Sequence, residues 1–521
     1  MGLLLLNRLM SMQRERKRRR QIQARNGSIA SVTTKRHLLC REYDHSLGGK
    51  RSRYSGPTLP EDIWCHIHSL MPLRDAARAA CVSRTFLSSW RRYPKLTFTK
   101  KSLGLKRNTC RKGDIARDFT TKVDHILKHH SGIGLKTFRL EIHDYGNING
   151  YLNSWLRIAI TPGIEVVELL LPSCYNFPCS LLFGGRGNSI RNIYLTDCAF
   201  RPTNGFDCLR SLTELHLYQV RITGDELGCI LSSSFALEQL ELRNCNELIY
   251  LKIPSCLEQL RFLRVFECEM LQMIESKAPN LSTFCFSGDP VEFLLGESSQ
   301  LKNLDVEFLI NPISYAITNL SSIVTHLETL TIYSISESVD TPIVANKFFH
   351  LKYLDIDLTG CEAFSPAYDY LSLVSFLDAS PVLESFVLGV NQGDMKHESV
   401  FEYASPSHMR QIPEHKHDRL KNVEVIGFCS AKSMVELICY ILQNATSLES
   451  LTVDTIFDEN DENIGRCSVR KTGKCTPITR HMILEAHKAL KAIKRYILGK
   501  VPSTVKLNVG EPCSRCHAIE H

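Results

Sequence analysis

From residue 135 onward one short pattern recurs: an apolar residue, two variable positions, an apolar residue, one variable position, and a third apolar residue. It starts at Leu135, Ile164, Ile190, Leu212, Leu237, Leu260, Leu281, Leu301, Leu327, Leu351, Leu383, Leu420 and Leu448, with gaps of 20 to 37 residues. Alternation at the two closing apolar positions predicts a short strand with one face in a core. Near-regular succession of these strands predicts a solenoid of stacked units, since a globular α/β protein with scattered strands shows no preferred spacing. The longer gaps leave room for helices on the outer side. Leu371, Val374 and Leu377 ahead of Pro381 predict one, and Met434, Val435, Ile438, Ile441 and Leu442 another.

Ahead of the array the period changes. Ile63, Ile67 and Leu70 recur at i, i+4 and i+7 behind Pro60, Glu61 and Asp62, the residue types that favour a helix start. Pro72 interrupts this helix, an alanine-rich second helix follows, and Ser83 is placed to cap a third that carries Phe86, Leu87 and Trp90. Three such helices bury little alone and need a neighbour. At the other end, Ile483, Ala486, Leu490, Ile493 and Ile497 line one helical face. Pro502 stops that helix, and Val505, Leu507 and Val509 predict a closing strand, so the segment reads as the cap of the array.

Charge changes the picture only at the N-terminus. Residues 1–58 hold 14 Lys and Arg against 3 Asp and Glu, a net +11 within the chain's +8, which leaves the rest at −3. The run Arg14, Arg16, Lys17, Arg18, Arg19 and Arg20 reads as an import signal, a phosphate-binding arm or a solvated charge run, and residues 458–462 as an acidic exposed loop. No apolar run reaches the roughly 18 residues that cross a bilayer. The 20 cysteines are spread through a long chain and several fall inside strand patterns, which suits buried reduced thiols in the nucleus and cytoplasm.

Catalytic motifs are missing: there is no P-loop, G-x-G-x-x-G, G-x-S-x-G or H-E-x-x-H. Cys513, Cys516 and His517 have the spacing of a haem attachment or part of a zinc site, with Cys467, Cys475 or His521 as fourth ligands. Two ordinary thiols are the simpler reading, and neither cofactor nor resident metal is expected.

The segment from Leu59-Pro60-Glu61-Asp62-Ile63-Trp64 to Val82-Ser83-Arg84-Thr85-Phe86 and Trp90 resembles an F-box, with Phe86 where that family usually has Trp. The repeats resemble leucine-rich repeats, with Cys198, Cys245 and Cys268 at the position that tolerates Asn or Cys. Residues 430–451 and 501–503 look like the FBD-type C-terminal region of plant, particularly grass, F-box proteins. The resemblance implies an α/β chain: a basic tail over 1–56, a three-helix F-box over 57–98, a leucine-rich-repeat horseshoe over 99–428, an FBD-like cap over 429–512 and a Cys/His tail over 513–521. It implies a non-catalytic subunit of a ubiquitin ligase. Leu59, Pro60, Ile63, Ile67, Leu70, Leu73, Val82 and Trp90 would bind a Skp-type adaptor and, through it, a cullin. A non-degradative scaffold and nucleic-acid binding through the tail are the competing functions.

The target, an unknown protein, is expected on the concave face. Acids fall there at Glu168, Glu241, Asp305 and Asp355, and Tyr218, Arg243, Phe262, Arg264 and Phe266 lie on adjacent strands. Aromatic residues and arginines dominate interface energies, and an exposed phenylalanine pair is otherwise a liability. A register slip would instead send Phe262 and Phe266 to the core and Leu263 and Val265 to water.

Overall fold

A computed structural model describes residues 59–105, 112–142, 149–172, 175–203, 205–295, 300–308, 311–337, 347–358, 368–391, 397–402, 409–410, 413, 415–457, 478–514 and 516–517. Among them, fifteen strands form one parallel sheet in chain order, from Lys95–Phe98 and Thr137–Glu141 to Ser450–Asp454 and Lys506–Gly510. Each of the repeated patterns yields a strand that begins at its third position: Leu237 leads into Gln239–Arg243 and Leu260 into Phe262–Phe266. The closing apolar pairs stack from strand to strand. Leu240 pairs with Leu263 and then Phe284, and Leu242 with Val265 and then Phe286. Leu263 and Val265 are wholly buried, so the register is the one in which Phe262, Arg264 and Phe266 lie on the face turned away from the core.

Every unit must reverse direction after its strand, and among the described residues Asp197, Gln219, Asn244 and Glu267, each directly after a strand, do so in the left-handed region without being glycine, with φ of 58°, 52°, 50° and 50°. Each such residue costs about 1–2 kcal/mol of backbone strain. The ladder offsets it, because the Gln219, Asn244 and Glu267 amides donate to Arg243, Phe266 and Ser287 carbonyls at 2.7, 2.9 and 2.6 Å. The next residue then drops into the core, and at three turns it is Cys198, Cys245 or Cys268. Cys245 Sγ donates to the Leu217 carbonyl of the preceding unit (3.6 Å). Burial pushes the Cys198 thiol up to about 12, so it is a packing group and not a nucleophile. Gly427, at φ +78°, fills the corresponding turn after Asn422–Ile426, where a Cβ would stand 1.9 Å from the Val390 carbonyl oxygen.

The outer side follows gap length. Long gaps hold helices such as Lys432–Asn444 and Arg480–Ala492. The gaps of 20 to 23 residues in the middle hold short strands instead. Tyr250–Ile253, Met273–Ser276 and Glu292–Leu294 pair in parallel and bury Leu251, Ile274 and Phe293 in the common core. A strand covers the same length with fewer residues than a helix.

The N-terminal helices Glu61–Ser69, Leu73–Val82 and Arg84–Trp90 lean on the start of this array. Ser83 caps the third, its side chain accepting from the Phe86 amide. The chain then enters Lys95–Phe98, which pairs with Thr137–Glu141. The Ser131 and Lys136 amides donate to the Arg91 and Pro94 carbonyls (both 2.8 Å), and His130 Nε2 donates to the Tyr93 carbonyl (2.9 Å). Helices and array are therefore joined by backbone bonds rather than by a swinging linker. No helix among the described residues is long and apolar enough to cross a membrane.

Candidate functional site

Two surfaces carry the residues singled out by the sequence. On the N-terminal helices, His68 is wholly buried and donates Nε2–H to the Ala76 carbonyl (2.8 Å), tying the first helix to the second. Phe86, Trp90 and Tyr93 surround its ring at 5.1, 6.2 and 5.7 Å. Phe86 also meets Trp64 edge-on at 5.3 Å, so the phenylalanine in place of tryptophan still anchors the helices. With the interior filled this way, Leu59, Pro60, Ile63, Leu70 and Val82 are left exposed, Leu70 at 72% and Val82 at 84%.

Three of the expected adaptor residues are placed differently. Ile67 is half-buried. Leu73 is buried with Ala76 and Ala80, which share its helix face at i+3 and i+7, and belongs to the core. Trp90 is half-buried, 5.5 Å from the Tyr93 ring and packed on the core. Leu73 and Trp90 thus hold the helices to the array instead of facing a partner. Leu87, exposed and absent from the expected set, takes an outward place because its neighbour Phe86 turns in.

On the sheet, the middle residues of successive strands form one row on the face away from the core. Arg139, Glu168, Tyr194, His216, Glu241, Arg264, Cys285 and Asp305 are register partners in that order. Asp355 continues the row, so all four acids expected on this face lie there. Glu241 is its centre. Fully buried, it accepts from Tyr218 Oη (2.7 Å) and Arg243 Nε (2.8 Å), faces His216 Nδ1 at 3.1 Å, and stands 3.8 Å from Arg264 Nη1. The next row holds Tyr218, Arg243 and Phe266 in register. The Arg243 guanidinium lies over the Tyr218 and Phe266 rings at 5.3 and 4.9 Å, and that of Arg264 over Phe262 at 4.8 Å. Tyr194 stacks on Tyr218 with 4.9 Å between centroids.

All five expected target residues are therefore brought together, but the phenylalanines are not an exposed pair. Phe266 is 9% exposed and Phe262 half-buried, each roofed by an arginine. The Arg243 and Arg264 side chains are themselves only 8% and 11% exposed, so guanidinium packed on aromatic carbon lies mostly beneath the surface of this face. Burial and the charge of Glu241 raise the Tyr218 phenol, which stays a neutral donor. Tyr194 and His216 were missed in the sequence, although their signal is the same strand position that marked Glu241.

At the C-terminus, His517 Nδ1 accepts from the Cys513 amide (3.3 Å), a turn contact that occupies one ring nitrogen. Residues 14–20 and 458–462, with Cys467, Cys475 and His521, lie outside the described residues.

Comparison with known proteins matches both regions of the chain. The F-box domain model matches residues 57–97, and the model described as "At1g61320/AtMIF1, LRR domain" matches residues 126–514. Among similar proteins, the F-box/FBD/LRR-repeat protein At1g78750 of Arabidopsis thaliana is 23% identical, over 78% of this chain and 92% of its own length. The FBD-associated F-box protein At1g66310 of the same plant is 22% identical, over 79% and 91%. F-box domains in general bind Skp-type adaptors and leucine-rich repeats bind proteins, which is the arrangement of a substrate adaptor rather than a catalyst. The chain belongs to the At1g61320/AtMIF1 leucine-rich-repeat family and carries an F-box domain ahead of its repeats, as plant F-box/FBD/LRR-repeat proteins do.

Proposed function

We propose that this chain is the substrate-recognition subunit of a Skp-cullin-F-box ubiquitin ligase, active in nucleus and cytoplasm. It would hold the Skp-type adaptor on its N-terminal helices and a target protein on the sheet face centred on Glu241. The observation that carries this reading is the set Ile63, Leu70, Val82 and Leu87, apolar side chains turned to solvent on helices that are backbone-bonded to the array. Exposed apolar side chains gathered on one small element mark a docking surface. The rigid joint matters as much: a target on the array keeps a set position relative to the adaptor, so transfer gains from proximity supplied by the complex.

Affinity capture from cells with degradation blocked tests it, comparing the intact chain with Leu70→Asp and Val82→Asp. Adaptor and cullin are expected only with the intact chain, and targets with all three; equal adaptor recovery by the well-folded variants would sink the reading. Target half-life on removal of the chain separates a ligase subunit from a non-degradative scaffold. For location, deleting residues 1–25 should move a fluorescent fusion from nucleus toward cytoplasm, and an unchanged distribution would leave the basic run as a solvated tail.

A further inference from the structure

The longest gap in the repeat pattern, 37 residues from Leu383 to Leu420, ends in two histidines that meet an aspartate of the helix before the gap, a cluster that neither binding surface uses. Asp378 lies in the helix Val374–Ala379, and His415 and His417 precede the strand Asn422–Ile426. One ligand atom from each lies within 4.8 Å of the other two. The His417 backbone is fixed by its amide bond to the Asn444 carbonyl (2.9 Å), and its ring is 6% exposed. Tyr440 Oη donates to Asp378 Oδ1 (3.0 Å) and so orients the carboxylate.

The spacing around His417 Nε2 is informative. It stands 3.4 Å from Asp378 Oδ1 and 3.3 Å from Tyr440 Oη. Both exceed the roughly 2.7–3.2 Å of a good N–H···O bond. Zinc ligands at about 2.0–2.2 Å in a tetrahedron stand roughly 3.3–3.5 Å from one another. The His417 Nε2 and Asp378 Oδ1 atoms are thus spaced as neighbours on a metal rather than as tight hydrogen-bond partners, with a His415 nitrogen within 4.8 Å of both.

We propose that Asp378, His415 and His417 form a zinc site with water as the fourth ligand and Tyr440 as the positioning residue behind the carboxylate. Two imidazoles and one carboxylate suit zinc, whereas magnesium and calcium take oxygen ligands. The metal would staple the long connection to the helices on either side, Val374–Ala379 and Lys432–Asn444, as a structural ion. This assignment does not depend on the ligase reading.

The test uses the full-length chain, stripped with chelator and titrated with zinc chloride, then with cobalt chloride as a spectroscopic probe. One equivalent of zinc should bind and raise the melting temperature, magnesium should do neither, and cobalt should give the visible bands of a tetrahedral site. His415→Ala, at an exposed position, and Asp378→Asn should each lower zinc affinity at least tenfold, and Tyr440→Phe, which frees the Asp378 carboxylate, by a smaller factor. The chain has 20 cysteines, so thiolate-to-cobalt bands that persist in both variants would report a different site. Zinc uptake unchanged in His415→Ala and Asp378→Asn, or no uptake by the parent chain, overturns the proposal in favour of a hydrogen-bonded His-Asp pair.

Discussion

The N-terminal helices leave Leu70 and Val82 in solvent, whereas the centre of the sheet draws Phe262 and Phe266 under two arginines and buries Glu241 between them. Both surfaces were singled out by residue type, yet they differ in what their residues do when nothing is bound. On the helices the outward side chains contribute little to folding, so binding and stability are separable there. On the sheet, the groups offered to a partner already satisfy one another, and a substitution that removes recognition also removes an internal contact. The difference follows from architecture. A short helix has an inner and an outer face, while the face of a parallel sheet brings residues of neighbouring strands about 5 Å apart whether or not a ligand is present.

The largest expected effect is at Glu241. Glu241→Gln keeps the volume but removes the charge that Arg243 and Arg264 face, and breaking a buried ion pair from one side costs about 3–5 kcal/mol. Chemical denaturation of the full chain should show a loss of that order. A loss below 1 kcal/mol would mean that solvent screens the cluster, and the contrast with the helices would vanish.

Next comes Leu73. The F-box resemblance implies that it binds the adaptor, but it is a core residue in the fold. Leu73→Ala should cost about 2–3 kcal/mol, in the lower part of the range for buried leucine. Adaptor capture should fall only as far as folding does. Unchanged stability with lost capture would return Leu73 to the docking face.

The double substitution Phe262→Ala with Arg264→Ala falls between the two regimes. Both side chains are only partly buried, and Glu241 keeps Arg243, Tyr218 and His216. A loss of about 1–3 kcal/mol is expected, together with reduced target capture and full adaptor capture. Capture of every partner at parent level would place target recognition elsewhere on the sheet.

Much of this was legible because the repeat is periodic. A strand position of period two leaves one register that hides Leu263 and Val265, and that register decides the side on which Arg264 and Glu241 fall. The first strand escaped because its leading residue is aromatic: Tyr93, Leu96 and Phe98 have the same spacing as the later units. The last strand has polar Thr504 at that place, and the alternation of Val505, Leu507 and Val509 marked it instead. Burial depth was not legible. Nothing in the order of residues says that Arg243 will lie over Phe266, since that depends on which strands are neighbours and how far a guanidinium reaches. The helices were legible as helices, but their inner and outer faces were not. A seven-residue helix such as Arg84–Trp90 is too short for periodicity to tell Phe86, turned in, from Leu87, turned out. His415 and His417 gave no sequence signal for the same reason as Arg243: their third partner, Asp378, is 37 residues earlier than the nearer of them.

The smallest effect on folding and the sharpest on binding should meet at Val82. Its side chain is 84% exposed at the end of the helix Leu73–Val82, and Ser83, which caps the next helix, lies directly after it. Val82→Asp keeps a short side chain in solvent and leaves the Ser83 cap in place, so stability should change by no more than about 0.5 kcal/mol. Against a docked partner the same carboxylate would be buried without a counter-charge, a cost of several kcal/mol and a loss of affinity of at least a hundredfold. Paired measurements on one preparation, a denaturation midpoint and an adaptor titration, decide the matter. An unchanged midpoint with lost binding makes this face a surface kept free for a partner. If both are unchanged, the adaptor docks away from Val82, and the exposed side chains of Ile63, Leu70 and Leu87 must be tested in turn by the same substitution. If the midpoint falls with the binding, the end of the helix is less independent of the core than its exposure implies, and the separation between the two regions narrows to one of degree.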